Sequence, residues 1–128
     1  MQEVITDIFD SVYNAVTAEF PNADFATGYV NQPSSFPHVQ MWEESNTTPR
    51  LGMNLGGDEC FSNVVVHFEY FDNALHGMSM ENVKKIAQIV DPIMRRFGYR
   101  RTYYAPVPNF DDASVYREIA RYSKILPN

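Results

Sequence analysis

The 128-residue chain is 45% hydrophobic and 14% aromatic, which is enough apolar material for one core and excludes a wholly disordered chain. Its single cysteine excludes internal disulfides, and no run of about 18 apolar residues predicts a membrane-spanning helix. A net charge of −6 argues against nonspecific nucleic-acid binding. We expect a single domain over residues 1–128, and the single cysteine fits a reducing cytoplasm.

The first half of the chain predicts one helix, two strands and a long loop. Apolar residues recur every three or four positions over 4–20, which indicates an amphipathic helix that ends before Pro21. Residues 24–30 and 38–44 predict strands separated by a proline-containing turn. The polar, glycine-rich stretch 45–59 predicts an exposed loop that orders against a partner. The residues proposed for that partner contact are Arg50, Leu51, Met53, Asp58 and Glu59.

The second half predicts a central strand, a helix and two further strands. Residues 61–70 alternate apolar and polar side chains, as a half-buried strand does. Residues 79–97 predict a helix that begins at Ser79, bends at Pro92 and stops at Gly98. Strands are expected over 99–105 and 114–125, joined as a hairpin. This order predicts an α+β fold in which two helices pack on one face of an antiparallel or mixed sheet of about five strands. The other face would be polar or free to meet another subunit.

The sequence contains no recognisable catalytic or metal-binding motif. His38, His67, His76 and Cys60 lack the close spacing of zinc ligands. No glycine-flanked nucleophile or phosphate-binding loop occurs, and adjacent acids on a strand point to opposite faces, so they do not share a proton. We therefore expect no enzyme activity, no cofactor and no metal.

Charge is unevenly distributed along the chain and points to a protein interface. Residues 1–76 hold 11 acidic and one basic residue (net −10), whereas residues 77–128 hold five and nine (net +4). Opposed patches of this kind would let one copy contact the next. Tyr99, Arg101 and Tyr103, like Arg117, Ile119 and Arg121, alternate along strands and form mixed aromatic and cationic faces typical of interfaces. The candidate interface residues are Arg100, Arg101, Arg117, Arg121, Glu43 and Glu44.

Two other interpretations of these arginines remain open. Their aliphatic stems could simply cover the sheet, with the charged ends in water. A surface of aromatic and basic residues could also stack nucleic-acid bases, although the acidic balance of the chain argues against it.

Several short segments resemble the small tail-completion or tail-terminator proteins of long-tailed phages. In the C-terminal third they are Gly-Tyr-Arg-Arg-Thr at 98–102, Pro-Asn at 108–109 and Tyr-Arg-Glu-Ile-Ala-Arg-Tyr at 116–122. In the first half they are Asn-Gln-Pro-Ser-Ser-Phe-Pro-His-Val at 31–39 and Glu-Glu-Ser-Asn at 43–46. The resemblance implies a sheet flanked by helices and assembly into a ring, six-membered by expectation.

The same resemblance implies a function and partners. The ring would cap the tail tube and join it to the head connector, so the expected partners are other copies of the chain, the tail tube protein and the head–tail connector protein. The expected location is the head–tail junction of the virion, after synthesis in the host bacterial cytoplasm. The alternatives are a head-side connector or stopper protein and, from another class, a small nucleic-acid-binding or regulatory domain.

Overall fold

Two helices and five strands form the described part of the chain. The computed structural model describes residues 3–28, 36–47, 61–73, 79–107 and 115–127. The elements in chain order are α1 (Glu3–Glu19), β1 (Asp24–Ala26), β2 (His38–Thr47), β3 (Phe61–Asn73), α2 (Ser79–Arg96), β4 (Arg100–Val107) and β5 (Val115–Pro127). The α+β class and the order predicted from the sequence are confirmed.

The strands form one mixed sheet in the order β1-β2-β3-β5-β4. Only β1 runs parallel to its neighbour, β2, and all other neighbouring strands are antiparallel. The predicted central strand, β3, lies in the middle of the sheet. Because β5 inserts between β3 and β4, the chain crosses the sheet through α2 before β4 is reached.

Both helices pack on one face of the sheet. Helix α1 contributes Ile8, Val12 and Val16 to the core, at the predicted spacing of four, and each of these side chains is fully buried. The sheet side chains in the same core alternate along the strands, as the pleat requires. They are Val39 and Met41 of β2, Val64, Val66, Phe68 and Tyr70 of β3, and Ala120 and Tyr122 of β5. Neither described helix has the length and apolar content needed to cross a bilayer.

The element boundaries differ from the sequence predictions mainly at the strand ends. The strand predicted over 24–30 is three residues long, Asp24–Ala26. In contrast, β2 continues to Thr47, so residues 45–47 of the predicted loop belong to a strand, and β3 continues to Asn73. Polar residues extend these strands because they pair with a neighbouring strand, which a search for alternating apolar residues does not detect.

Gly98 ends α2 in the way that the sequence predicts. Its φ of 88° is left-handed, its backbone N–H donates to the Arg95 carbonyl at 2.9 Å, and the Tyr99 N–H donates to the Met94 carbonyl at 2.9 Å. Glycine adopts this conformation without the clash that a Cβ atom causes. The Lys124 ammonium also donates to the Phe97 carbonyl, so β5 helps to cap this helix end. The helix assignment continues through Pro92, and the predicted bend there stays a prediction.

The face of the sheet without helices carries both polar and apolar side chains, and its central polar side chains are buried. His38 and Gln40 of β2 and His67 and Glu69 of β3 alternate with core residues and therefore point to this face. Each is at most 4% exposed. The predicted polar face is mixed, because Phe71, Val115 and Ile119 also lie on it, and its central polar side chains are not accessible to another subunit.

Candidate subunit-interface site

The sheet has three stretches of strand edge at which no strand pairing occurs among the described residues. One is the outer side of β4, along its full length. A second is at Glu43 and Glu44 of β2, beyond residues 38–40, with which β1 pairs. The third is the outer side of β1 itself. Unpaired backbone N–H and C=O groups on a sheet edge can pair with a strand of another chain. The candidate interface residues on these edges are Glu43 and Glu44 of β2 and Arg100 and Arg101 of β4.

The β2 edge opens into a groove at the point where β1 ends. The groove has a volume of about 340 Å³ and is lined by Thr6 and Phe9 of α1, Thr27, and Met41, Trp42 and Glu43 of β2. Glu43 is exposed, as are Asp7 and Asp10 beside the lining residues of α1. The edge therefore combines an apolar floor with an acidic rim.

The β4 edge is basic, and a bulge sets the direction of its side chains. Arg100, Arg101, Thr102 and Tyr103 are all exposed. The register shifts between Arg101 and Tyr103, so Arg101 pairs with Tyr122 on the helix side while Tyr103 pairs with Arg121 on the opposite face. The prediction that Arg101 and Tyr103 share one face was therefore wrong, because simple alternation does not account for a bulge. The Arg101 guanidinium lies 4.6 Å from the centre of the Tyr104 ring.

Arg101 and Glu43 lie in the same row across the sheet, at opposite edges. Arg101 pairs with Tyr122, Tyr122 with Val66, and Val66 with Glu43. All four positions are on the face that carries the helices, since Val66 and Tyr122 belong to the core. The two edges thus present opposite charges at the same height along the strands.

On the helix-free face, two arginines, two glutamates and one histidine form an ion-pair row, defined as Arg117, Glu69, His67, Glu44 and Arg121. Arg117 donates to Glu69 Oε1 at 2.7 and 2.8 Å, and Arg121 Nε donates to Glu44 Oε1 at 3.1 Å. His67 lies between the two carboxylates, with Nε2 2.9 Å from Glu69 and Nδ1 3.0 Å from Glu44. The two ring nitrogens of His67 therefore bridge the carboxylates of Glu44 and Glu69.

The carboxyl groups of the ion-pair row are stabilised in their charged form. Burial alone raises the pKa of Glu69, but the hydrogen bond from His67 and the charge of Arg117 outweigh burial and hold the pKa below its ordinary value. For Glu44 the same balance between burial, Arg121 and His67 lowers the pKa. The row therefore joins β2, β3 and β5 through charge-assisted hydrogen bonds.

Aromatic rings lie against the histidine and the two arginines of this row. The Trp42 ring stacks on His67 with centroids 4.4 Å apart, and the Arg121 guanidinium lies 5.1 Å from the Tyr103 ring. Arg117 lies 5.6 Å from the Phe71 ring. The predicted mixture of aromatic and cationic side chains is present, and it packs within the subunit.

Arg117 and Arg121 thus have acidic partners in their own subunit. The sequence hypothesis placed them against acidic residues of a neighbour, and such a contact would have to compete with Glu69 and Glu44. Their side chains are 22% and 38% exposed, respectively. Arg100, Arg101 and Glu43 are better suited to an intermolecular contact because they are exposed and lie on the sheet edges. The loop candidates Arg50, Leu51, Met53, Asp58 and Glu59 lie outside the described residues.

A second polar cluster lies on the helix side, around Glu118. This carboxylate is fully buried and accepts hydrogen bonds from the hydroxyls of Tyr104 and Tyr116 and, at 3.1 Å, from Lys84 Nζ. Burial and the adjacent carboxylate raise the pKa of both tyrosines. The cluster ties α2 to β4 and β5.

The sequence analysis did not identify Glu118 as buried, because an arginine followed by a glutamate is typical of an exposed surface. The spacing of Tyr116 and Glu118 could have indicated that Glu118 is buried beside a tyrosine, since residues two apart on a strand share a face. The positions of Tyr104 and Lys84 could not be inferred, because they depend on the register of β4 and on how α2 lies across the sheet.

The described candidate site consists of charged and aromatic surfaces. Within the described ranges, no group of three or more histidine, cysteine or carboxylate side chains could hold a metal ion. Each carboxylate of the ion-pair row is already bound by cations of the chain. No protein-family model and no curated protein matches the sequence.

Proposed function

We propose that this protein is a structural component of a long-tailed phage that forms a ring, caps the tail tube and joins the tail to the head connector. The ring is expected to hold six copies. The protein acts through complementary surfaces, without a cofactor. It works in the virion, at the head–tail junction.

The observation that supports this proposal most directly is the opposite charge of the two sheet edges. Glu43 lies on the β2 edge and Arg101 on the β4 edge, in one cross-strand row. Two different patches that complement each other produce head-to-tail association, which closes into a ring when the rotation between copies closes. The phage-tail assignment comes from the resemblance of segments 31–39, 98–102 and 116–122.

The proposal is tested by measuring native mass over a concentration series and then imaging the protein with the tail tube protein of the same genome. We expect rings of about six copies that sit on the ends of tubes. A protein that stays a single copy alone and leaves the tube ends bare would refute the proposal. Rings that bind the portal-associated proteins and ignore tubes would identify the head-side connector instead.

A charge variant makes this test specific to the β4 edge. Arg100→Glu is expected to lower the ring fraction, because it places a carboxylate where the acidic edge of a neighbour would lie. Lys85→Glu is the matched control, since Lys85 is exposed on α2 and the change in charge is the same. Equal loss of rings in both variants would indicate a general charge effect. A salt-dependent shift of DNA by the unmodified protein would favour the nucleic-acid-binding alternative.

A further inference from the structure

We propose that a groove beside Gly98 binds the acidic outer face of helix α1 in a second copy of this chain, with Arg100 and Lys124 of one copy holding Asp7 and Asp10 of the partner subunit. This contact would join neighbouring copies in the proposed ring, and its assignment rests on that proposal. It follows from the lining of the groove, from the charges of both surfaces and from where the surfaces lie on the sheet.

The groove lies where β3, β5 and the beginning of β4 meet, next to the end of α2. Its volume is about 330 Å³, and its lining includes Arg100, Lys124 and Ile125 together with the polar side chains of Asn63 and Ser123. None of the described lining residues carries a carboxylate. A groove with two cations and neutral polar groups favours an anionic group, because charge-assisted hydrogen bonds are stronger than neutral ones.

The cations of this groove lack the acidic partners that other cations of the chain have. Four other cations each lie within 3.1 Å of a carboxylate oxygen, namely Lys84, Arg95, Arg117 and Arg121. Among the described residues, no carboxylate lies within ion-pair distance of Arg100 or Lys124. The Lys124 ammonium donates to a neutral carbonyl, that of Phe97, and Arg100 is exposed. A carboxylate from another chain would supply the missing partner.

Helix α1 presents an acidic outer face. Over Glu3–Glu19 it contains four acidic residues and no lysine or arginine. Asp7 and Asp10 are exposed, and they lie about 60° apart around the helix axis, away from the buried stripe of this helix. In the described part of the chain, neither has a cation within ion-pair distance. The two carboxylates are therefore available to the cations of a neighbouring copy.

Exposed apolar side chains accompany the charges on both surfaces. Ile125, in the groove, is 59% exposed, and Tyr13, one turn of α1 after Asp10, is 45% exposed. Exposed ion pairs alone contribute little free energy, whereas protein interfaces bury apolar and aromatic side chains at their centre. Apolar surface on both sides favours a protein partner over a phosphate polymer, which the net charge of −6 also disfavours.

The two surfaces lie on opposite faces of the sheet. Asn63, Ser123 and Ile125 alternate with core residues along their strands, so they point to the helix-free face. α1 lies on the other face, where it packs on α2 and β2. One subunit therefore cannot bring its own α1 to its own groove. Each copy offers a different face to each of two neighbours, and such head-to-tail contacts form a ring when the rotation between copies closes.

Cysteine cross-linking tests the contact directly. Cys60, the only cysteine, is replaced by Ser, and Thr102→Cys in the groove lining and Asn14→Cys on α1 are made in separate proteins. Asn14 is exposed and lies one turn after Asp10, so it would reach the rim of the groove. With a short bismaleimide, we expect a covalent dimer when the two proteins are mixed and a ladder of oligomers when one chain carries both cysteines. A mixture of Thr102→Cys with Lys85→Cys is the matched control and is expected to give no dimer.

Charge exchange supplies an independent test. Asp10→Arg and Arg100→Glu are each expected to weaken self-association about tenfold, because each puts like charges at one contact. The double variant D10R/R100E is expected to recover most of that loss, which a merely structural role of either residue would not produce. Glu19→Arg is the matched control, since this exposed acid of α1 lies about half a turn around the axis from Asp10. Failure of the double variant to recover, with a native circular dichroism spectrum, contradicts the contact.

The outcomes separate this contact from the proposed function. Each experiment is run with the protein alone and with tail tube protein, and native mass is measured in parallel. Rings that form without the mixed cross-link overturn the docking of α1 and leave the proposed function standing. An Arg100→Glu variant that keeps its rings but no longer binds tubes also overturns it, because the groove then binds the tail tube protein. Single copies that neither cross-link nor bind tubes overturn both proposals.

Discussion

The fully buried carboxylate of Glu118 accepts a 2.6 Å hydrogen bond from the hydroxyl of Tyr116, two residues earlier on β5. We expect Glu118→Gln to lower the free energy of unfolding by about 1 to 3 kcal/mol, because the amide replaces one acceptor of this cluster with a donor. Lys84→Met is expected to cost less, about 1 kcal/mol or below, because the Lys84 side chain is 46% exposed. Urea denaturation compares the two variants, and a larger loss for Lys84→Met would contradict this account.

Acid is expected to destabilise the protein through the ion-pair row. The pKa of Glu69 is lowered from the ordinary 4.5 in the folded state, so its ionised form stabilises the fold above pH 4.5. That contribution is lost as the pH falls through the lower folded-state pKa. Chemical denaturation from pH 7 to pH 3 should therefore show a decline in the free energy of unfolding that sets in only below pH 4.5.

Arg117→Gln tests the cause of this acid dependence. Without the guanidinium, the folded-state pKa of Glu69 is higher than in the unmodified protein. The variant is therefore less stable at pH 7, and its free energy of unfolding falls less on acidification. The difference in free energy of unfolding between Arg117→Gln and the unmodified protein should become smaller toward pH 3. Arg96→Gln, at an exposed position of α2, is the control and should keep the full decline. If the difference from the unmodified protein shrinks equally in both variants, the Arg117–Glu69 pair is not the cause of the acid dependence.

Gly98→Ala is expected to lower the free energy of unfolding by about 1 to 2 kcal/mol, because an L-residue is strained at a left-handed φ. The new Cβ would also lie 3.0 Å from Cε of Lys124, which donates to the Phe97 carbonyl. Gly28→Ala is the matched control, since its Cβ would meet no atom within 4 Å and its φ is not left-handed. Equal thermal shifts in the two variants would show that the turn after α2 tolerates a side chain.

Tyr70 and Tyr122 provide a paired test of buried hydroxyls. The Tyr122 hydroxyl donates to Asp91 at 2.9 Å, whereas the buried Tyr70 hydroxyl has no hydrogen-bond partner within the described ranges. Tyr122→Phe should therefore destabilise the protein by about 1 to 2 kcal/mol, and Tyr70→Phe should leave its stability unchanged or slightly higher. Thermal denaturation distinguishes the two variants. A loss of stability in Tyr70→Phe comparable to that in Tyr122→Phe would indicate a hydrogen-bond partner for the Tyr70 hydroxyl.

Much of the fold could be predicted because the core follows simple periods. Ile8, Val12 and Val16 recur at the spacing of a helix, and Val64, Val66, Phe68 and Tyr70 at the spacing of a strand. These periods reflect burial against one face, which the sequence encodes locally. The element types and their order followed from them.

The contacts of the candidate interface residues could not be predicted, because they depend on how strands align. Arg117 meets Glu69 across 48 residues of sequence, and Arg121 meets Glu44 across 77. Each pairing requires the register of β3 with β5 and of β2 with β3, which no local pattern specifies. The bulge after Arg101 also depends on how β4 aligns with β5, and it places Arg101 and Tyr103 on opposite faces of the sheet.

The insertion of β5 between β3 and β4 has a consequence for synthesis on the ribosome. β4 precedes β5 in the chain, yet within the described sheet β5 is its only neighbour, so β4 cannot join the sheet until β5 has emerged. Because nascent chains fold from the N-terminal side, the acidic β2 edge can form earlier than the basic one. Polysomes translating this message would then carry chains in which the sheet as far as β3 can order while β4 still lacks its neighbour.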